Sequence, residues 1–187
     1  HGWRAAPLVP GAVLSTRALP VTNPADRRQV VGEWHAADSA IVEAREALRK
    51  KDRTRLAAAR SAAMAAQHPL AMWADYFELG ARLAEAQQPE LNAFYARWPA
   101  TYVEDRLRND WLLELGKRRD WANFAVEYPR FRMNDDREVS CYALMLDHQA
   151  GKDVHDEALA NWLAQRDPDD GCALMAATLV DAKKFNN

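Results

Sequence analysis

Apolar residues recur every three to four positions along most of this chain, and the pattern is clearest between Tyr102 and Pro129. Val103, Leu107, Trp111 and Leu115 fall in steps of four, which is one face of an α-helix. Gly116 interrupts that ladder, and Lys117, Arg118 and Arg119 supply the cations that favour a helix C-terminus. Asp120 is placed to cap a second helix. Its apolar face is Trp121, Phe124, Ala125 and Tyr128, spaced i, i+3, i+4, i+7, and Pro129 marks its end. The stretch predicts a helical hairpin with an aromatic seam.

The pattern repeats. Thirty residues upstream, Leu91, Phe94, Tyr95 and Trp98 occupy the same four places and Pro99 follows. Met64, Ala65 and His68 before Pro69 are a weaker echo. Glycines mark a second register at Gly80, Gly116 and Gly151, thirty-six and thirty-five residues apart. A helix pair recurring at this interval predicts an all-α fold, a right-handed α-superhelix (solenoid) of stacked hairpins with about nine or ten helices and no sheet.

Taken in order, residues 1–35 carry Pro7, Pro10, Pro20 and Pro24 without a sustained period. They predict an irregular N-terminal arm, with a short helix near Arg27 to Trp34. Residues 36–187 predict the helical-repeat domain. Asp38 is placed to cap a helix carrying Ile41, Ala44, Arg45 and Leu48, and Asp52 precedes one from about Thr54 to Gln67 with Leu56, Ala59, Ala63 and Ala66. A longer helix, about Leu70 to Ala86, presents Trp73, Tyr76, Phe77, Gly80, Leu83 and Ala84. Pro89 suits the first turn of the next helix. Beyond the hairpin, a helix from Asp135 to about Ala150 turns Val139, Tyr142, Ala143 and Leu146 inward. Its partner, Val154 to Gln165, presents Ala158, Leu159, Trp162 and Leu163. A last helix follows Asp169 or Asp170, with Leu174, Ala177 and Leu179. It has no partner in the pattern, so the natural chain is expected to continue past Asn187.

Composition narrows the function classes. Apolar types make up 49% of the 187 residues, enough for a substantial core, and the formal charge of −2 does not point to nucleic acid. No apolar run reaches the roughly 20 residues of a membrane span. Two cysteines are too few for a disulfide scaffold and show no Cys-x-x-Cys metal spacing. Cys141 lies within one helix and Cys172 opens the next helix but one, so the two can be neighbours, as free buried thiols or as a disulfide.

Catalytic, cofactor and metal motifs do not emerge. G-x-G-x-x-G, P-loop, H-E-x-x-H and G-x-S-x-G patterns are absent. His148 and His155 flank Gly151 and a turn. Asp167-Pro168-Asp169-Asp170-Gly171 lacks the rest of a calcium loop and reads as a turn and helix cap. Asp135-Asp136 reads as a capping pair. The basic runs Lys117-Arg118-Arg119 and Lys50-Lys51 with Arg53 and Arg55 read as helix ends, with binding of an anionic polymer as the rival. The tryptophans on helical seams read as core, with sugar stacking as the rival. None of the eleven glutamates stands out as a general acid.

Three segments together resemble a known family. HPLAMWADYFEL at His68 to Leu79, RLRNDWLLELGKRRDWANFAVEYP at Arg106 to Pro129, and CYALMLDHQAG at Cys141 to Gly151 look like the N-terminal superhelical domain of soluble lytic murein transglycosylases. The most specific part places Leu107, Trp111, Leu112, Leu115, Gly116 and Trp121 in order. The resemblance covers roughly Ala36 to the C-terminus and implies a periplasmic scaffold for a C-terminal lysozyme-like domain. That domain cleaves the β-1,4 bond between N-acetylmuramic acid and N-acetylglucosamine without water, leaving a 1,6-anhydro product. The family's catalytic acid is a glutamate followed by serine, and this chain has no Glu-Ser pair, so no catalytic residue carries over. The resemblance also implies a Cys141–Cys172 disulfide. The implied partners are peptidoglycan, reached through the parent enzyme, the catalytic domain outside these residues and other cell-wall proteins. The alternative is a stand-alone periplasmic helical-repeat scaffold that binds another protein.

Overall fold

The computed structural model describes residues 3–5, 18–22, 28–35, 39–167 and 169–181. The described chain is dominated by nine α-helices: α1 Ser39–Arg49, α2 Arg53–Ala65, α3 Ala71–Gly80, α4 Gln88–Arg97, α5 Tyr102–Arg118, α6 Trp121–Glu127, α7 Arg137–Gln149, α8 His155–Ala164 and α9 Asp170–Asp181. The helical class therefore stands. Two compact units are present, His1–Arg82 and Leu83–Asn187.

The first unit holds a departure from expectation. Three short strands, β1 Trp3–Ala5, β2 Ala18–Thr22 and β3 Val30–His35, form a small sheet in the order β1-β3-β2. β3 occupies most of the stretch expected to be a short helix. β2 pairs antiparallel with β3, placing Pro20 opposite Glu33, and β1 pairs with it in parallel. Pro20 is tolerated because β2 is an edge strand, where one row of backbone groups needs no partner. Pro7, Pro10, Pro24 and Asp38 lie outside the described residues.

In the same unit α1, α2 and α3 pack together through small side chains. The three helices contact one another, and their buried apolar residues are Ile41, Ala44 and Ala47 of α1, Leu56, Ala59 and Ala63 of α2, and Ala71, Ala74 and Leu79 of α3. Arg45 of α1 and Ala66, which follows α2, are exposed. α3 ends at Gly80 rather than near Ala86, and its buried face is not the predicted one. Trp73, Tyr76 and Phe77 form a half-buried aromatic cluster, with ring centroids 5.9, 6.0 and 5.8 Å apart, on the side of α3 away from Ala71, Ala74 and Leu79. Alanine lets helix backbones approach closely, so the small residues take the interior and the rings do not. Asp75 is buried among them and is neutralised by Arg60.

The second unit is built around α5. Thr101 caps it, with its hydroxyl accepting from Glu104 N at 3.1 Å. The helix runs through Gly116 and ends at Arg119, whose φ of 59° breaks the helical path. Gly116 does not stop the helix because its role is packing: an added Cβ would collide with the ring of Tyr142 on α7. Asp120 caps α6 through Asn123 N at 3.2 Å. The interior of α6 is Phe124 and Glu127, while Ala125 is exposed, contrary to the apolar spacing. Pro129 lies in a 3₁₀ turn, Tyr128–Arg130, that follows α6 directly.

α7 contacts α5, α8 and α9, which explains why five consecutive residues, Cys141 to Met145, are buried. Leu146 is only half-buried and Ala177 of α9 is exposed. α8 differs most from its pattern. Ala158 is its buried residue, and Leu159, Trp162 and Leu163 are 38%, 36% and 72% exposed. The apolar face written into α8 is therefore turned outward in this unit.

Candidate functional site

The second unit contains two constructions that sequence spacing alone does not define. The first is a charge network on α4, α5 and α6. Glu104 and Arg108 are one helical turn apart, and Arg108 Nη2 donates to Glu104 Oε1 at 2.6 Å. Arg108 Nη1 donates to Glu127 of α6. Both partners of this second pair are essentially inaccessible, Arg108 at 3% and Glu127 at 0% exposure. The guanidinium lies over the Tyr95 ring, 4.0 Å from its centroid, so a cation–π contact supplements the ion pairs. Glu127 Oε1 also accepts from Gln88 Nε2 at 2.9 Å and from Arg130 Nη1 at 3.3 Å. Gln88 in turn accepts the indole N–H of Trp111 at 2.8 Å.

This network encloses Trp111. Its ring is 1% exposed, one edge is tied to Gln88 and Arg118 lies 4.9 Å from its centroid. No face is left for a sugar. Arg118 does more than offset the helix C-terminus, since it donates to the backbone oxygens of Ala86 at 3.1 Å and Leu83 at 2.9 Å. Beside it, Leu91, Phe94, Tyr95, Leu107, Leu115 and Phe124 are buried, and Trp98, Trp121 and Tyr128 are half-buried. Phe124 and Tyr128 stack at 5.7 Å, and Trp121 and Phe124 both meet Tyr142, at 5.7 and 6.1 Å.

Two further buried polar groups on α5 fix the segment before α7. Asp105 accepts from the backbone N–H of Arg132 at 3.0 Å and of Met133 at 2.8 Å. Asn109 donates to Asp136 at 3.0 Å, and Asp136 itself caps α7 through Val139 N at 3.2 Å. Spacing reveals the Glu104–Arg108 pair, since i and i+4 are neighbours on a helix. It cannot reveal Glu127, nineteen positions from Arg108, or the loop partners of Asp105. The buried hydroxyl of Tyr95, Nε of Arg108 and amide oxygen of Asn109 have no hydrogen-bond partner. Burial pushes the Tyr95 hydroxyl well above its ordinary range, so it stays protonated.

The second construction is the disulfide Cys141–Cys172, with Cα atoms 4.9 Å apart. It joins α7 to α9 inside a cluster of Leu144, Met145, Val154, Ala158, Met175 and Leu179. The acidic turn beside it serves the same junction. Asp169 caps α9 through Cys172 N at 2.7 Å and binds Arg137 of α7 at 3.0 Å. Gly171 lets α9 approach α7, since an added Cβ would sit 2.7 Å from Glu138 O. Burial pushes the Glu138 carboxyl up from its ordinary value; bonds from Tyr142 and Gly171 pull it down, and the charges of Asp169 and Asp136 reinforce the rise.

In both constructions the carboxyl groups are engaged in joining elements of the unit. Glu127 is held by three donors, and Glu138 is engaged by Tyr142 O–H at 3.2 Å and Gly171 N–H at 3.3 Å in a helix junction. A cleft of about 310 Å³ does bring His148 and His155 together with Lys152, Asp153, Val154 and Leu179. Lys152 is paired there with Asp147 at 2.8 Å, and His155 lies 3.1 Å from Asp156. Among the described residues no group of three or more His, Cys, Asp or Glu side chains is arranged to hold a metal ion. No described helix is long and apolar enough to cross a membrane.

These features define a helical unit held by buried polar ties and one disulfide. A solved structure shares the fold: an inactive mutant of lytic transglycosylase Slt from Pseudomonas aeruginosa matches with a TM-score of 0.62 and 22% sequence identity. The match covers 81% of this chain and 24% of that protein, so this chain spans about a quarter of its length. No family model matches the sequence. No curated protein matches it either.

Proposed function

We propose that this chain is a helical scaffold segment of a periplasmic enzyme that acts on peptidoglycan. The bond cleavage, non-hydrolytic scission of the β-1,4 link between N-acetylmuramic acid and N-acetylglucosamine, belongs to a domain outside these residues. The observation that carries the reading is the fold shared with lytic transglycosylase Slt across most of the chain but a quarter of that protein. The ordered residues from Leu107 to Trp121 support it independently, because they combine a buried seam with the Gly116 packing contact. A buried disulfide is compatible with an oxidising compartment. On this reading the hairpins stack into a right-handed superhelix, and the chain contributes shape and rigidity rather than reacting groups.

The test compares the natural reading frame with this chain on purified sacculi. The full product is expected to release 1,6-anhydro-muropeptides, and residues 1–187 alone to release none above a blank. Release by the chain alone that disappears on changing one glutamate would contradict the reading. A full reading frame that neither cleaves nor binds sacculi would favour the stand-alone protein-binding scaffold instead.

A further inference from the structure

We propose that the first unit carries a binding site for a small anionic amphiphile, a single aliphatic chain ending in an anionic head, at the α1–α2 turn. A cavity of about 400 Å³ opens there, lined by Leu48, Lys51, Arg53, Leu56 and Ala81. That volume falls within the roughly 300–1,000 Å³ of small-molecule sites. Leu56 is 1% exposed and Leu48 and Ala81 are half-buried, so the floor is apolar and comes from α1, α2 and the residue that caps the end of α3. Among the described lining residues the other two, Lys51 and Arg53, are cations.

The charge around the cavity is lopsided. From Lys50 to Arg53 three of four residues are cationic, and the fourth, Asp52, is occupied in capping α2 through Arg55 N at 3.0 Å. The neighbouring cations are paired, Arg49 with Glu46 at 2.9 Å and Arg55 with Glu43 at 2.8 Å. Lys51, by contrast, forms no ion pair with any described residue. The amino end of α2 adds partial positive charge at the same place and the carboxyl ends of α1 and α3 oppose it, so the attraction for an anion comes from the side chains. An apolar floor favours a hydrocarbon chain, and a cationic rim favours an anionic head; a ligand with only one of these features uses half of the site. The concave, limited volume suits one soluble chain and not a bilayer surface. The basic run that reads in sequence as a helix end thus gains a second role.

Lys51 also offers a clean test. Its φ of 54° lies in the left-handed region that glycine adopts without strain. Its N–H closes α1 on Leu48 O at 3.0 Å, a bond that glycine retains. Lys51→Gly therefore removes the ammonium group without threatening the fold. The experiment is isothermal titration of the whole chain with decanoate, acetate and 1-decanol, each below self-association. Decanoate is expected to bind one to one, about a hundredfold tighter than acetate because of its buried methylenes. It is expected to bind more tightly than decanol, and to weaken as salt rises. Lys51→Gly is expected to weaken decanoate about twofold to fivefold, the scale of an exposed charge pair, with its Tm unchanged or raised. Arg53→Gln should weaken it similarly. Equal affinity for decanol and decanoate, Lys51→Gly binding as tightly as the parent chain, many molecules bound per chain, or binding to anionic vesicles in place of free decanoate would each overturn the proposal.

Discussion

Within residues 83–187, the two ends of one compact helical unit are held together by different physics. The α4–α6 end encloses Trp111, Phe94 and Phe124 and threads a buried cation, Arg108, between two carboxylates and an aromatic ring. The α7–α9 end has a smaller cluster of Leu, Met and Val side chains, leaves Leu159, Trp162 and Leu163 of α8 in solvent, and carries the disulfide. Burial of large side chains stabilises the first end directly. The second has no buried tryptophan or phenylalanine in its cluster, and its cross-link acts mainly by restricting the unfolded chain, a benefit that does not depend on how much surface is covered. The cross-link thus reinforces a helix, α9, that already packs closely on α7, rather than the exposed α8 beside it.

The largest expected effect lies at the charge network. Arg108→Ala leaves Glu127 buried without its main partner, and the expected loss is about 3–5 kcal/mol in a urea titration. The double change Arg108→Met with Glu127→Leu is expected to recover most of that loss, because it removes both charges and the unpartnered Nε of Arg108 together. If Arg108→Ala proves harmless, the network is ornamental and the contrast between the ends fails.

Reduction of Cys141–Cys172 comes next. For a sequence separation of 31, loop closure predicts a loss of about 3–4 kcal/mol. Thermal melts of the oxidised chain and of Cys141→Ala with Cys172→Ala measure it. Loss below about 1 kcal/mol would mean that packing alone holds α9.

Glu138 sharpens the account of the α7–α9 junction through pH. Its folded-state pKa is raised, chiefly by burial, so the folded chain takes up its proton more readily than the unfolded chain. The stabilisation this gives is full below the ordinary carboxylate range and is lost as pH rises through the raised value. Glu138→Gln is therefore expected to gain stability relative to the parent between acid and neutral pH, by less than either effect above. A difference independent of pH would show that the carboxyl group is not the cause. The smallest effect is expected on α8: Leu163→Ser should shift stability by less than about 0.5 kcal/mol, because its side chain is already in solvent.

Legibility in sequence followed the range of the interactions. Helix identities and caps depend on neighbours within four residues, so Asp120 and Asp136 were legible as caps from local chemistry. Inward faces were legible where helices bury large side chains, as with Leu107 and Trp111. They failed where small residues decide the approach, as with Ala47 and Ala74, and where an apolar face is left uncovered, as on α8. Gly116 shows the limit most clearly. A glycine within a helical pattern reads as a stop, yet here it makes room for a ring twenty-six residues further on. Glu127 sat among residues read as an aromatic face, and its buried partner could not be inferred from spacing. The pairing of Val30–His35 in a sheet depends on β2 and β1 earlier in the chain and left no periodic signal among the prolines.

Hydrogen exchange read helix by helix, with the disulfide intact and reduced, tests the comparison most directly. The amides of α9, and then those of α7 facing it, are expected to lose protection on reduction while α4, α5 and α6 keep theirs. Loss of protection spread evenly from α4 to α9 would contradict the account, because it would mean that both ends of the unit stand or fall on the same bond.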